Sequence, residues 1–457
     1  MMTYASEAGN FNIALAGDCM LTRRLRVFDE PEFLGLVKIF RDCDVGTGNL
    51  ESVVRHWDEG TPGITQGTYM TTPPELLEEF KWFGLTMMGT ANNHAFDYGE
   101  GGALATCKHL DEAGIPHAGS GRNLAEARMP GYLDTKGGRV AILATTATFR
   151  PWNRAGAQRP DIRGRPGVNP SGFKNTFTVD GAVFEQLKRM SRELGFEQKR
   201  QRQRSHFFSE LEAPPDREEE LTLLNERFVR GNGFKVSSEC DKTDLEENLR
   251  WIKEARRQAD WVVVHFHSHE YGHSSLLAAK TQSELSEPAE FMRAFARAAI
   301  EAGADIVVGH GSHTPLGIEF HKGKPIFHSV GNLIFQNETV PFFPSTAYER
   351  FGLANDATPS DFLDARTGNG KKGHVAHEAY WQNIATTCHY VGGKLAEIRI
   401  HPIHQGFGRP RGQRGRPMLA GGAMAQAIIA RVDALSKPYG VHVENRNGTG
   451  VVTPPGG

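Results

Sequence analysis

Short apolar runs in this chain stop, one after another, at polar and histidine-rich segments. Asn12–Ala16, Leu85–Met88, Val140–Thr145, Trp261–Phe266, Asp305–Val308 and Pro325–Phe327 read as strands, with a last one near Ala396–Ile403. Helical spacing lies between them, at Pro74–Phe83, Gly101–Ala113, Asp244–Asp260 and Glu287–Ala302. Thr243 and Glu246 read as a capping box for the third helix, and Leu245, Leu249, Ile252 and Ala255 share one of its stripes. This alternation predicts an α/β architecture rather than a bundle or a β sandwich.

The polar clusters fall at the carboxyl ends of the strands, where open α/β sheets form ligand sites. Asp18 follows the first run, and Asn49 and Glu51 follow DVGTG. Asn92, Asn93 and His94 follow LTMMGTA; His265, His267, His269 and Glu270 end WVVV; His310 and His313 follow DIVVG. Alternation along a strand places the first three of those histidines on one face. Imidazole nitrogen together with carboxylate and amide oxygen suits borderline divalent ions, and the cluster lacks thiolates. The sequence holds enough ligands for one or two ions, Mn, Zn or Fe, with a metal-free site as the alternative. A pair held about 3.5–4 Å apart needs a bridging carboxylate and two partly separate ligand sets.

Composition narrows the function. The 457 residues carry 52 Lys+Arg against 54 Asp+Glu, so no basic excess points to nucleic acid. The longest apolar runs are too short to span a bilayer, and the first residues lack the pattern of a cleaved leader. No membrane anchor is expected. Five cysteines without a CxxC pair argue against a disulfide framework and fit a reducing cytoplasm.

The catalytic core is expected over residues 10–405. It is interrupted by an insertion at about 150–241, rich in Pro, Arg and Gly, and by a long loop at about 337–379 able to cover a cleft. Gly164–Pro170 reads as a rigid, turn-rich loop rather than helix or strand. Residues 406–457 read as a basic segment, a helix over Ala420–Leu435 and a disordered tail, VVTPPGG.

The motifs GDCML, GNLES, ANNHAFDYGEGG, HFHSHE, AGADIVVGHGSH and GKPIFHSVGNLIF, in this order, resemble the CapA/PgsA family of poly-γ-glutamate capsule biosynthesis proteins. The resemblance covers about residues 10–150 and 245–405. It implies the calcineurin-like metallophosphoesterase fold, an α/β sandwich of two mixed β-sheets flanked by helices. Carried over by motif, it implies Asp18 as a ligand of one metal and Glu51 or Asn49 as the bridge. Asn93 would bind the second metal, His94 would act as general acid, and His267, His310 and His313 would complete the ligands. Three departures bear on this set. The Asp-x-His pair reads Asp18-Cys19-Met20, the final Gly-His-x-His is stretched to Gly309–His313, and Asn-Leu-Glu replaces the bridging Asp. They leave open a weakened metal position, or a site that works by acid–base groups alone.

Asp97, three residues after His94, is placed to orient its imidazole. Glu270 is a candidate general base, Ser329 and Asn332 are candidate substrate contacts, and Arg165 is a candidate clamp for a carboxylate or phosphate. Three functions remain open. One is a metal-dependent hydrolase of a phosphoester or amide bond in a peptide- or glutamyl-like substrate. A second is a metal-independent peptide epimerase using Asp18 and a cleft histidine. The third is a non-enzymatic component of poly-γ-glutamate capsule synthesis or export.

Overall fold

The computed structural model describes residues 9–65, 67–206 and 216–455. Residues 1–8, read above as lacking a leader, and the last two glycines of the tail lie outside the described residues.

The strand Phe11–Met20 shows how the layers arise. Its odd residues Ile13 and Leu15 face one core and its even residues Ala14 and Ala16 another, all four fully buried. A strand buried on both faces belongs in the middle of a layered α/β structure. It lies inside a ten-stranded mixed sheet, antiparallel to Gln382–Val391 and parallel to Val45–Leu50. A second, six-stranded mixed sheet is built on parallel Gly138–Thr146, Trp261–His267 and Ile306–His310. Its Val140, Ile142, Val263 and Val308 pack on Ile13, Leu15 and Ile384 of the first sheet. Helices close both outer faces. Pro31–Arg41 and Leu77–Phe83 bring Phe33, Phe40, Phe80 and Phe83 onto the first sheet, and Lys242–Gln258 and Glu290–Ala302 bring Ile252, Phe291 and Phe295 onto the second. Each such buried side chain contributes about 1.5–3 kcal/mol relative to exposure.

Five local expectations change. Asp241, not Thr243, caps the helix Lys242–Gln258, its carboxylate accepting the Asp244 amide. Gly167–Val168, within the segment read as a loop, forms a short strand against Ser120–Gly121. The interruption at 150–241 carries a four-stranded sheet of Glu220–Leu223, Glu226–Gly231, Phe173–Asp180 and Lys235–Cys240, with its own small core around Val179, Phe184, Leu221 and Leu223. Residues 337–379 are not a bare loop, because they contain the helices Ser345–Glu349 and Pro359–Thr367, the latter with a Thr358–Asp361 capping box. The tail is ordered to Val452. Thr449–Val452 pairs with Ile398–Ile400 and buries Val451 and Val452.

No helix among the described residues is long and apolar enough to cross a membrane. All five cysteines are free thiols.

Candidate metal centre and active-site cavity

The site begins where the ten-stranded sheet changes partners. Over Phe11–Leu15 the first strand pairs with Gln382–Val391; from Asp18 onward its neighbour is Asn332–Phe335. Gly17 permits the exchange, since a Cβ there would collide with the Gly331 carbonyl, and Asp18 N–H donates to that same oxygen at 3.0 Å. The local shift in register places Asp18 beside Asn49 on one side and Asn332 on the other.

Trp261–His267 enters from the second sheet with His265 and His267 on the inner face. His265 Nε2 pairs with Thr47 Oγ1 at 3.0 Å, which anchors it below the centre. His267 lies between two sets of groups. Its Nδ1 is 2.9 Å from His310 Nδ1 and 3.7 Å from Asp18 Oδ1, while its Nε2 is 2.8 Å from Asn93 Oδ1, 3.1 Å from His269 Nε2 and 3.8 Å from Glu51 Oε1. His313 Nδ1 lies 3.2 Å from Asp18 Oδ2 and 2.9 Å from Asn332 Oδ1.

The loop that carries the last two histidines is held in unusual backbone geometry. Gly311 has φ of +103°, and a Cβ there would meet the Ser268 carbonyl at 2.7 Å; without one, its N–H donates to Asp18 Oδ2 at 3.1 Å. His313 itself sits at φ of +59°, a region that disfavours side chains by about 1–2 kcal/mol. Asn332 offsets that strain, since its amide also donates to the His313 carbonyl at 3.2 Å.

Ligand atoms of Asp18, His267 and His310 lie within 4.8 Å of one another, and so do those of Glu51, His269 and His313. Burial would raise the Asp18 carboxyl, but the hydrogen bond and charge of His313, with His267 and His310 nearby, hold it well below the ordinary carboxylate range. Glu51 behaves oppositely. Burial, then the charges of Asp18 and Asp97, push it well above its ordinary value. Burial favours the neutral form of three imidazoles, pushing His267 far down, His269 to about 3 and His310 to about 4.

The donor set fits a divalent ion. Both Glu51 oxygens and His310 Nε2 are buried without a hydrogen-bond partner among the described residues. A buried carboxylate without a donor is costly unless a proton or a cation compensates it. Neutral imidazoles and carboxylates are the protonation states that metal binding requires.

Above this floor lies a cavity of about 620 Å³ reached by Asn93, His94, His269, Glu270 and His313. His94 Nδ1 is 2.6 Å from Asp97 Oδ2, which also accepts the Met70 amide at 2.7 Å. With Nδ1 engaged, Nε2 is the ring nitrogen left for a ligand. Burial raises the Glu270 carboxyl.

The structure brings Asp18, Glu51, Asn93, His94, Asp97, His267, Glu270, His310 and His313 together around this centre. Four expected residues sit differently. Asn49 adjoins the cluster but turns its N–H groups inward, donating to Asp18 Oδ1 at 2.9 Å, while its oxygen accepts from Asn92 at 3.0 Å. Ser329 is buried away from the cavity lining, accepting from the Ser312 hydroxyl at 2.7 Å and the Gly331 amide at 3.1 Å. Asn332 is fully buried and supports His313 instead of lining the cavity. Arg165 gives two hydrogen bonds to the Arg154 carbonyl and lines a separate surface depression. His269 had no expected role, although its alternation with His265 and His267 carries the signal for its place in the second ligand group. Arg150, Arg366 and His374, with no such signal around them, also line the cavity.

The chain is 30% identical over 465 residues to the uncharacterized protein y4sH of Sinorhizobium fredii, covering 98% of this chain and 94% of that one. It is 24% identical over 339 residues to the PGA biosynthesis protein CapA of Bacillus subtilis, covering 73% of this chain and 65% of that protein. To the capsule biosynthesis protein CapA of Bacillus anthracis it is 24% identical over 336 residues, with 72% and 61% covered. Residues 12–337, which hold every group of the two candidate ligand clusters, match the family described as bacterial capsule synthesis protein PGA_cap, and the chain belongs to that family.

Proposed function

We propose that this protein is a metal-dependent hydrolase of the calcineurin-like metallophosphoesterase type, cleaving a phosphoester or amide bond in a peptide- or glutamyl-like substrate. The carrying observation is the pair of adjoining ligand groups, Asp18/His267/His310 and Glu51/His269/His313, beneath a cavity that also holds the His94–Asp97 pair. The printed names of the Bacillus relatives motivate a polyglutamate-like substrate. The five free thiols motivate a cytoplasmic location.

One ion would be held by Asp18, His267 and His310, and another by Glu51, His269 and His313, with Asn93 beside the second. Such ions supply Lewis-acid polarisation of a substrate oxygen and make a water more acidic. The chain's own groups complete the chemistry. Asp97 accepts from His94 Nδ1 and fixes the ring, so that Nε2 can deliver a proton to the leaving group. Asn332 and the Gly311 amide hold His313 and Asp18 in place during that transfer. Glu270, raised by burial, is a second group able to hold a proton at the cavity wall.

Metal analysis of protein purified without chelator tests the reading, with about two equivalents expected. Bis(p-nitrophenyl) phosphate and γ-glutamyl-p-nitroanilide serve as probes of the two bond types. Less than about one equivalent, with turnover that survives chelation, removes the proposal. Solvent deuterium recovered in an uncleaved peptide would replace it with proton exchange.

A further inference from the structure

Two arginines reach the cavity from segments far apart in the chain. Arg150 follows the strand Gly138–Thr146, and Arg366 lies in the helix Pro359–Thr367. Both are half-buried. Among the described residues the Arg150 guanidinium has no hydrogen-bond or ion-pair partner, and that of Arg366 donates only to the Thr68 hydroxyl.

A guanidinium withdrawn from bulk water is ordinarily matched by a carboxylate. The acids in this cavity lining, Asp97 and Glu270, do not do this. Asp97 is engaged by His94 and the Met70 amide, and Glu270 forms no ion pair with either arginine. Glu338 is close enough to act on the Arg366 charge but is itself paired with Arg411 and Arg414, so neither guanidinium in the lining has a carboxylate of its own beside the candidate ligand histidines. Arg366 lies beyond residues 12–337, so one of the two comes from outside the stretch that matches the family.

We propose that Arg150 and Arg366 are specificity-determining residues that together hold two oxyanion groups of one substrate, so that the cavity selects a molecule with at least two carboxylates or phosphates. Planar guanidinium forks match either group through paired N–H donors. Two clamps on separate segments favour a dianionic ligand over a monoanion, because the second contact forms without a second loss of translational freedom. The inference deepens the hydrolase reading and rests on this cavity being its substrate site.

Calorimetric titration of the metal-loaded protein with di-γ-glutamate and, separately, with pyrophosphate tests it and distinguishes the two anion sources. Replacing either arginine, R150Q or R366Q, should weaken binding of the preferred probe by about tenfold or more. R150K and R366K should recover part of the loss, and R165Q should bind as the native protein does. Melting curves identify any variant that fails to fold, and the lysine variants keep the test open in that case. Native-like affinity in both glutamine variants, or no binding of either probe to the native protein, overturns the proposal. Arginine-dependent binding without cleavage leaves the clamp standing and removes the hydrolase reading instead.

Discussion

His267 Nδ1 lies 2.9 Å from His310 Nδ1, and across the same ring Nε2 lies 3.1 Å from His269 Nε2. A neutral imidazole carries a single proton, so it cannot donate to both neighbours. It donates on one side and accepts on the other, so its tautomer is tied to those of His310 and His269 and the ring couples the two ligand groups.

That coupling sets the result of metal analysis on variants. His310→Ala should remove one ion and retain the one near Glu51, leaving about one equivalent. His267→Ala should deplete both positions to less than about half an equivalent in total. A His267→Ala protein with the native metal content contradicts the coupling of the two groups through this ring.

Glu51 predicts a proton count. Burial and the neighbouring Asp18 and Asp97 charges raise its carboxyl, so the metal-free folded protein retains this proton above the ordinary glutamate value. A raised acid favours the folded state below its unfolded value, and that contribution is lost as pH rises from there through the folded value. Metal entry must expel the proton. Titration of metal in buffers of different ionisation enthalpy should show about one more proton released by the native protein than by Glu51→Gln. Equal release from both proteins would be the contrary result.

The His94–Asp97 pair separates orientation from metal binding. His94→Ala should lower kcat on the cleaved probe by about 10²–10⁴-fold, and Asp97→Asn by about 10–100-fold. Neither ring nor carboxylate belongs to the two ligand groups, so both variants should keep their metal. Loss of metal from Asp97→Asn would instead make that carboxylate part of the centre's support.

Most of the centre was legible because its residues sit where apolar runs end. Asp18, His267 and His310 belong to strands whose hydrophobic pattern is continuous, and the parallel pairing of Trp261–His267 with Ile306–His310 then aligns the two histidines. The segment Val45–Leu50 was harder to read, since its glycines are depleted in strands; here Gly46 lets the chain pass against the Gly84 carbonyl. Arg165 was misplaced because its chemistry was right for a clamp, whereas its position depends on how residues 150–170 fold back. Arg366 and His374 come from a segment with no sheet periodicity, and only tertiary packing brings them to the cavity. The strands inside the insertion are half-exposed and charged, so they lack the apolar signature of the main sheets.

Away from the centre, Glu319 on the edge strand Ile318–His321 receives Arg297 Nε at 2.5 Å and His328 Nε2 at 3.1 Å. Burial opposes its ionisation, but those two partners win and hold it down at about 2. A depressed carboxylate stabilises the fold above its unfolded value and loses that contribution as pH falls through the folded value. The urea midpoint of the native protein should therefore drop between about pH 4.5 and 2 more steeply than that of Glu319→Gln. Parallel pH profiles would show that the edge cluster contributes nothing measurable.

The C-terminal strand Thr449–Val452 lies in the ten-stranded sheet between Glu444–Arg446 and Lys394–His404. Val452 pairs with Ile398; Val451 and Val452 are both buried, and Val452 shares a core with Ile400, Ile429 and Val443. Deleting residues 444–457 removes those two valines and exposes both Ile398 and a row of unpaired amides on Lys394–His404. At about 1.5–3 kcal/mol for each buried valine, the truncation should cost about 3–6 kcal/mol and leave an aggregation-prone edge. Chemical denaturation with light scattering reads both effects. The metal centre lies at the opposite, carboxyl end of the first strand, beyond the residues that pair with Gln382–Val391, so truncated protein that stays folded should bind metal normally. A truncated chain as stable and monodisperse as the native one would return these residues to the disordered tail that their Pro-Pro-Gly-Gly ending suggests.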